Sequence, residues 1–238
     1  MSEHTTHPTD FRTRSFLYRT LLAHGAVFVE MSGCAIASGY GGSIEEECAQ
    51  ARDLGLTDLS PLPRTGFKGR RALQWLREAG VQVGDDNNFS WRQDNGSIVA
   101  RLADTEAVVL ADLGHTSNAC EQLDRRAADE EPESCYRVPR RDTSAWLLVT
   151  GAFADVMFSK ICGVDMRRSK FPSGMVAQTS IARMNAISIR CDLGDLPAYH
   201  LIFDSASAEY LWRSLKDAMS EFEGMPVGYD AIVSMARG

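Results

Sequence analysis

The chain has 238 residues, 44% hydrophobic and 24% charged, a profile that supports a globular core without disulfide or metal staples. Its net charge of −7 and pI near 5.3 argue against nucleic acid as the ligand, because that binding rewards a basic footprint. The longest apolar region, Ala145 to Phe158, is interrupted by Thr150 and Asp155, so no membrane-spanning helix is expected.

Residues 1–10 (MSEHTTHPTD) predict a disordered polar tail in which His4 and His7 are incidental, leaving 11–238 as one domain. No secretory signal is visible at the N-terminus, which predicts reduced thiols and a cytoplasmic location. The six cysteines form no C-x-x-C pair, so no structural zinc is expected. A short helix carries Phe16, Leu17, Leu21 and Leu22 on one face and stops near His24-Gly25, where glycine suits a left-handed cap. Ala26 to Met31 reads as a strand and Gly33 to Gly42 as a loop. Ser43-Ile-Glu-Glu46 is a capping box, opening a helix that runs to Leu54 and stops at Gly55.

Leu56 to Phe67 contains Pro61 and Pro63, which predicts an edge strand or a broken one. Ala72, Leu73, Trp75, Leu76 and Ala79 mark a helix closed by Gly80, and 85–88 a loop. Phe89 to Arg92, an Asn95-Gly96 turn and Ser97 to Leu102 form a hairpin, followed by a strand over Ala107 to Leu113. Asn118 to Ala127 reads as a helix and 128–136 as an acidic loop. The adjoining basic cluster Arg137, Arg140 and Arg141 is a solvated face or an anion or partner contact. Ser144 to Val149 is an apolar strand, and Gly151 opens a helix to Ile161. Ser173 to Ala186 looks turn-like, while Ala186 to Asp192 and Tyr199 to Phe203 are strands. Ser207 to Phe222 is a helix with Ser205 and Ser207 as candidate caps, and Tyr229, Ile232 and Val233 lie in a short tail.

Residues 64–81 (RTGFKGRRALQWLREAGV) match neither the phosphate loop nor the dinucleotide turn. Gly66 and Gly69 are explained by close backbone packing where a strand meets a helix. Arg70 and Arg71 then fall in the first helical turn, unfavourable for the dipole, which leaves room for an acidic partner chain. The pattern Gly69-x-x-Ala72, Trp75-Leu76, Gly80-Val81 recurs as Gly151-x-x-Ala154, Met157-Phe158, Gly163-Val164. Two strand–helix–strand units built alike point to an α+β fold, with helices packed on antiparallel sheets.

Several segments resemble one family. Arg14-Ser-Phe-Leu-Tyr18, His24-Gly25-Ala26 and Gly39-Tyr40-Gly41-Gly42-Ser43-Ile44-x-x-Glu47 resemble the opening of the glycine cleavage T protein, a tetrahydrofolate-dependent aminomethyltransferase. Ala51-Arg52-x-x-Gly55-Leu56-x-Asp58-Leu59-Ser60, Phe67-Lys68-Gly69-x-x-Ala72-x-x-Trp75-Leu76 and Tyr199-His200-Leu201-Ile202-Phe203-Asp204 continue the likeness in order. The resemblance implies a T-protein-like folate-binding domain lacking the C-terminal barrel. Such a short form is similar to the gamma subunit of heterotetrameric sarcosine oxidase and the matching subunit of N-methylglutamate dehydrogenase. It implies a non-catalytic subunit of a flavin-dependent N-methyl amino acid oxidase or dehydrogenase that feeds one-carbon units to tetrahydrofolate. Flavin and NAD would sit on the alpha- and beta-type partner subunits. The alternative is a free-standing tetrahydrofolate-dependent aminomethyltransferase or demethylase.

Where the family carries an aspartate that contacts the folate ring, this chain offers Val99 or Ala100, and the family's Tyr-Glu becomes Tyr199-His200. A neutral imidazole accepts one hydrogen bond where a glutamate accepts two. The candidate folate-binding residues are Tyr199, His200, Asp58 and Ser60. Tyr199 either stacks on a pterin or is a plain strand tyrosine; His200 alternates to the other face of the strand. Asp58 and Ser60 either border a pocket or cap the broken strand. His115 is a candidate base with no recognisable nucleophile, and Tyr210 and Trp212 read as core or interface.

Overall fold

A computed structural model describes residues 5–237. His4 and the rest of residues 1–4 lie outside the described residues. Thr5 bridges Val29, the Thr6 amide donates to the Phe28 carbonyl (2.9 Å), and Pro8–Asp10 forms a 3-10 turn capped by the His7 side chain. The N-terminal elements are β1 (Thr13–Arg14), α1 (Tyr18–Ala23), β2 (Val27–Met31), β3 (Cys34–Gly39) and α2 (Ile44–Leu54). Gly25 closes α1 at φ +82°, the left-handed geometry expected of it. The capping box is present in both directions: Ser43 Oγ accepts from the Glu46 amide (3.2 Å), and Glu46 Oε2 accepts from the Ser43 amide (2.8 Å).

Two further series follow. The first is β4 (Gly55–Asp58), β5 (Arg64–Lys68), α3 (Ala72–Glu78), β6 (Phe89–Arg92), β7 (Ile98–Ala103), β8 (Glu106–Leu110) and α4 (Ala119–Glu130). The second is β9 (Tyr136–Pro139), β10 (Ser144–Thr150), α5 (Ala154–Ser159), β11 (Val176–Ile181), β12 (Met184–Arg190), β13 (Ala198–Asp204) and α6 (Ala208–Met219), completed by β14 (Met225–Pro226) and α7 (Tyr229–Arg237). One sheet has the order β6-β7-β8-β5-β9, the other β11-β12-β13-β10-β4-β14, and a small one β1-β3-β2. The first four strands of the two large sheets correspond one to one, so the internal echo in the sequence is an internal repeat of structure. The lead strands are exchanged between units: β4 pairs antiparallel with β10, and β9 pairs antiparallel with β5.

The two glycine turns are built alike. Gly69 (φ +137°) and Gly151 (φ +114°) each end a strand and precede a helix. A Cβ on Gly69 would fall well inside the Ser134 carbonyl, and one on Gly151 inside the Asp53 carbonyl. Those same carbonyls receive the amides two residues on, Arg71 to Ser134 (3.1 Å) and Phe153 to Asp53 (3.0 Å). Close approach and a positive φ together require glycine.

The molecule is layered helix, sheet, sheet, helix. Leu17, Leu21, Leu147, Leu201, Leu211 and Trp212 pack outside the β10–β13 sheet, and Phe67, Val109, Trp75, Leu76 and Leu123 outside the β5–β8 sheet. Ile98, Ala100, Val108, Trp146, Leu148 and Ile202 fill the layer between the sheets. Alternation along each strand sends successive residues to opposite layers, as Ile98, Val99 and Ala100 illustrate. The fold is α+β, as read from the sequence, and no closed barrel forms among the described residues.

Several expectations are corrected. Gly33 to Gly42 holds β3, whose small residues are buried beneath α7 and so lack the alternation of a half-exposed strand. Leu56 to Phe67 is broken, as expected, but neither piece is an edge: β4 lies between β10 and β14, and β5 between β8 and β9. Pro61 and Pro63 sit in the connector between them. The acidic stretch 128–136 is partly the end of α4 and runs into β9. The turn-like Ser173 to Ala186 contains β11, polar because it is a sheet edge. Arg70 and Arg71 precede α3, with Arg71 at its N-cap. Ser207 holds the N-cap position of α6 without a side-chain cap bond, and Asp204 caps the 3-10 turn Ser205–Ser207 before it, accepting from the Ala206 amide (2.8 Å). The C-terminal tail is the helix α7, with Tyr229 and Ile232 buried.

Glu47, part of the glycine-rich opening motif, ties α7 down. Its carboxylate accepts the Tyr40 amide and the Gly228 amide, both at 2.6 Å.

Candidate functional site

Three of the four candidate residues divide between the faces of one sheet, and Ser60 lies just past the end of β4. Tyr199 and Asp58 face the outer helical layer, and His200 faces the layer between the sheets. Tyr199 is fully buried, its hydroxyl donates to the Met166 carbonyl (2.8 Å), and its ring stacks on Phe171 with 9° between planes. Burial pushes its phenol up to about 12. Asp58 accepts from the Ser15 hydroxyl and from the Ser60 amide (3.0 Å). Burial raises its carboxyl above the usual range, against those hydrogen bonds and the charge of Arg64. Ser60 Oγ receives the Trp146 amide (3.1 Å) and so locks the end of β4 to β10. Asp58 and Ser60 therefore secure the exit from β4.

His200 belongs to a buried pair that sequence reasoning missed. The Trp146 indole N–H donates to His200 Nδ1 (3.1 Å), with ring centroids 5.7 Å apart. Nδ1 is thus the unprotonated nitrogen, and Nε2 has no protein partner. Burial pushes the imidazole down to about 3, with Arg92 adding to the drop. Trp146 stands in a fully buried strand, and its neighbours give no sequence signal that separates it from ordinary core.

Beyond this pair a groove of about 860 Å³ opens at the mouth of the inter-sheet layer, lined by Arg140, Gln178, Arg183, Asn185, Ile187 and Ile202. Ile202 lies directly across the ladder from Trp146 and from Ile187, so the groove floor backs onto the Trp146–His200 pair. Gln178 of β11 fastens one wall to the other sheet through the Leu102 carbonyl (2.8 Å), while Arg140, just past β9, pairs with Glu106 of β8 (2.9 Å). A rim with two guanidinium groups suits a polar or anionic molecule of cofactor size. Its carboxylate, Asp204, is engaged as the cap of the 3-10 turn before α6.

The other candidates stay apart. His115 bonds the Ser32 hydroxyl (2.8 Å) and meets no nucleophile–base pair. Trp212 is buried core, whereas Tyr210 is 49% exposed and bonds the Ala182 carbonyl (3.0 Å). Among the described residues, no group of three His, Cys, Asp or Glu side chains is placed to hold a metal, and no helix is long and apolar enough to cross a membrane.

The buried imidazole has a measurable consequence. Its folded value of about 3 lies below the ordinary 6.5, so between them the unfolded chain binds the extra proton. Stability from neutral His200 is complete above about pH 6.5 and is lost as pH falls toward about 3. His200→Gln keeps an acceptor for the indole but does not titrate. It is expected to flatten the acid limb by roughly 1 kcal/mol per pH unit at its steepest. Urea unfolding of both proteins at graded pH checks this; Asp58, with the opposite sign, is common to both and cancels.

A family profile described as the GCVT N-terminal domain matches residues 17–236. An aminomethyltransferase of Bacteroides thetaiotaomicron is 24% identical over 224 residues, covering 88% of this chain and 60% of the relative. The chain thus spans about 60% of the length of that curated relative. The crystal structure of glycine cleavage system aminomethyltransferase T from Bartonella henselae superposes with a TM-score of 0.72 at 17% identity, over 94% of this chain and 62% of that one. A chain of heterotetrameric sarcosine oxidase from Corynebacterium sp. U-96, in complex with pyrrole 2-carboxylate, superposes with a TM-score of 0.66 at 18% identity, over 90% of this chain and 98% of that one. At these identities the two structures show a shared fold.

Proposed function

The chain belongs to the GCVT N-terminal domain family, and from that membership we propose that it is a gamma-type subunit of a flavin-dependent, heteromeric sarcosine oxidase or related N-methyl amino acid oxidase or dehydrogenase. Its partners are alpha- and beta-type flavoprotein subunits that carry the flavin and nicotinamide and deliver one-carbon units to tetrahydrofolate in the cytoplasm.

The observation that carries this reading is the filled layer between the sheets. Trp146 and His200 are both 0% exposed there, and the only titratable member of the pair is held neutral. Where the family resemblance expects an aspartate, Ala100 faces this layer and Val99 the outer helical one, both 0% exposed and apolar. These residues do not fit a pterin between the sheets, so no step is assigned to folate in this chain. Tyr199, His200, Asp58 and Ser60 act as scaffold. The likeness to a sarcosine oxidase chain over 98% of that chain's length supports the same reading.

Co-expression with alpha- and beta-type flavoprotein subunits tests the proposal. The expected result is a stoichiometric complex that oxidises an N-methyl amino acid, and an isolated chain that neither binds tetrahydrofolate tightly nor transfers a one-carbon unit. Unaided transfer by the isolated chain would overturn it in favour of a free-standing aminomethyltransferase.

A further inference from the structure

The internal repeat leaves one site filled in one unit and open in the other. In the second sheet, β14 lies parallel to the outer edge of β4, with Met225 opposite Gly55 and Pro226 opposite Leu56. The Val227 amide donates to the Leu56 carbonyl (3.0 Å). The same segment lies against the end of α2 through Gln50 to the Glu223 carbonyl (3.2 Å), and its Phe222 stacks on Phe153 of the glycine turn, centroids 5.8 Å apart.

The glycine turns map each of these positions onto the first sheet. Thr150 pairs with Gly55 and Lys68 pairs with Tyr136, so Gly55 and Leu56 correspond to Tyr136 and Arg137. Among the described residues no strand covers the outer edge of β9, and Tyr136 is 66% exposed. Between α4 and β9 is a hollow of about 530 Å³, lined by Ala127, Glu131, Cys135, Tyr136 and Arg137 among others. It stands where residues 223–226 lie in the other unit. The counterparts of Ala152 and Phe153 are Arg70 and Arg71, both exposed and in no ion pair among the described residues.

We propose that the β9 edge receives an extended segment of a partner subunit, added as a parallel strand with a carboxylate facing Arg70 and Arg71. The second unit supplies the template for the geometry, and the charge of the turn selects the occupant: a guanidinium pair stands where the other unit offers a ring to Phe222. A small or apolar side chain of the segment enters the hollow beside Tyr136. Arginines left unpaired on an acidic chain steer an acidic segment to this edge and away from the rest of the surface. The inference rests on the subunit reading above.

The experiment compares amide hydrogen exchange in the isolated chain and in the co-expressed complex. The amides of Tyr136, Arg137 and Val138 are expected to slow by about tenfold or more in the complex. Charge reversal at Arg70→Glu with Arg71→Glu is expected to weaken association by about tenfold or more, while Arg213→Glu on α6 leaves it unchanged. A complex that forms without protecting β9 and without sensitivity to the charge reversal overturns the docking edge and leaves the subunit reading standing. Protection of β9 in an isolated chain of dimeric mass overturns it in favour of a second copy. No complex with any flavoprotein overturns the subunit reading, and this edge's role with it.

Discussion

Replacing Arg64 with methionine is expected to lower the unfolding free energy by about 3–5 kcal/mol. Arg64 begins β5 at the point where the β4–β5 and β9–β10 connections pass each other. Its guanidinium donates to the carbonyls of Ser60 (2.8 Å), Leu62 (2.8 Å) and Arg141 (2.8 Å) and, through Nε, to that of Ser144 (3.1 Å). Nη2 also reaches Ser144. Burial lowers its pKa to about 10, against the opposing charge of Asp58, yet the group stays charged at neutral pH. Methionine keeps much of the volume and strands the carbonyls in a dry site. Lysine restores the charge without the planar fork and is expected to recover less than half of the loss. Urea unfolding measures both variants; a loss below about 1 kcal/mol for Arg64→Met would show that water or side-chain rearrangement satisfies those carbonyls.

Gly69→Ala and Gly151→Ala are each expected to cost about 2–4 kcal/mol. Both residues sit at positive φ, and in both a methyl group would strike backbone rather than a side chain that moves aside. The struck carbonyls, Ser134 and Asp53, also hold the following helix start, so a shift that relieves the clash breaks a hydrogen bond. Gly163 has open space around its built Cβ, and Gly163→Ala is expected to stay within about 0.5 kcal/mol of the wild type. Thermal unfolding of the three variants side by side checks the ordering. Equal costs at Gly69 and Gly151 would mark the two turns as energetic as well as geometric equivalents.

These turns were legible in the sequence because glycine spacing and helix starts are local. The capping box at Ser43 and the Asn95-Gly96 hairpin were legible for the same reason. What was illegible depends on partners far along the chain. β3 reads as a loop because its residues are small, and they are small because α7 packs on them from the other end of the sequence. β9 reads as the join between an acidic loop and a basic cluster because it is short, exposed and proline-ended. At the candidate site, the opposite facing of Tyr199 and His200 followed from strand alternation alone. The Trp146 indole bound to His200 did not, because cross-strand neighbours are set by sheet order. Arg64 had no sequence signal either: its work is done on carbonyls, and every residue has one.

The exchange of lead strands reaches beyond the native state. Gly66 meets Val138 and Leu56 meets Val149, so each large sheet is finished by chain made long before or long after its own hairpins. Neither half closes its sheet until the other has arrived, and a nascent first half waits with the β5 flank bare. Such a topology carries high contact order, slows folding, and makes the two repeats mature as one cooperative body rather than as successive beads.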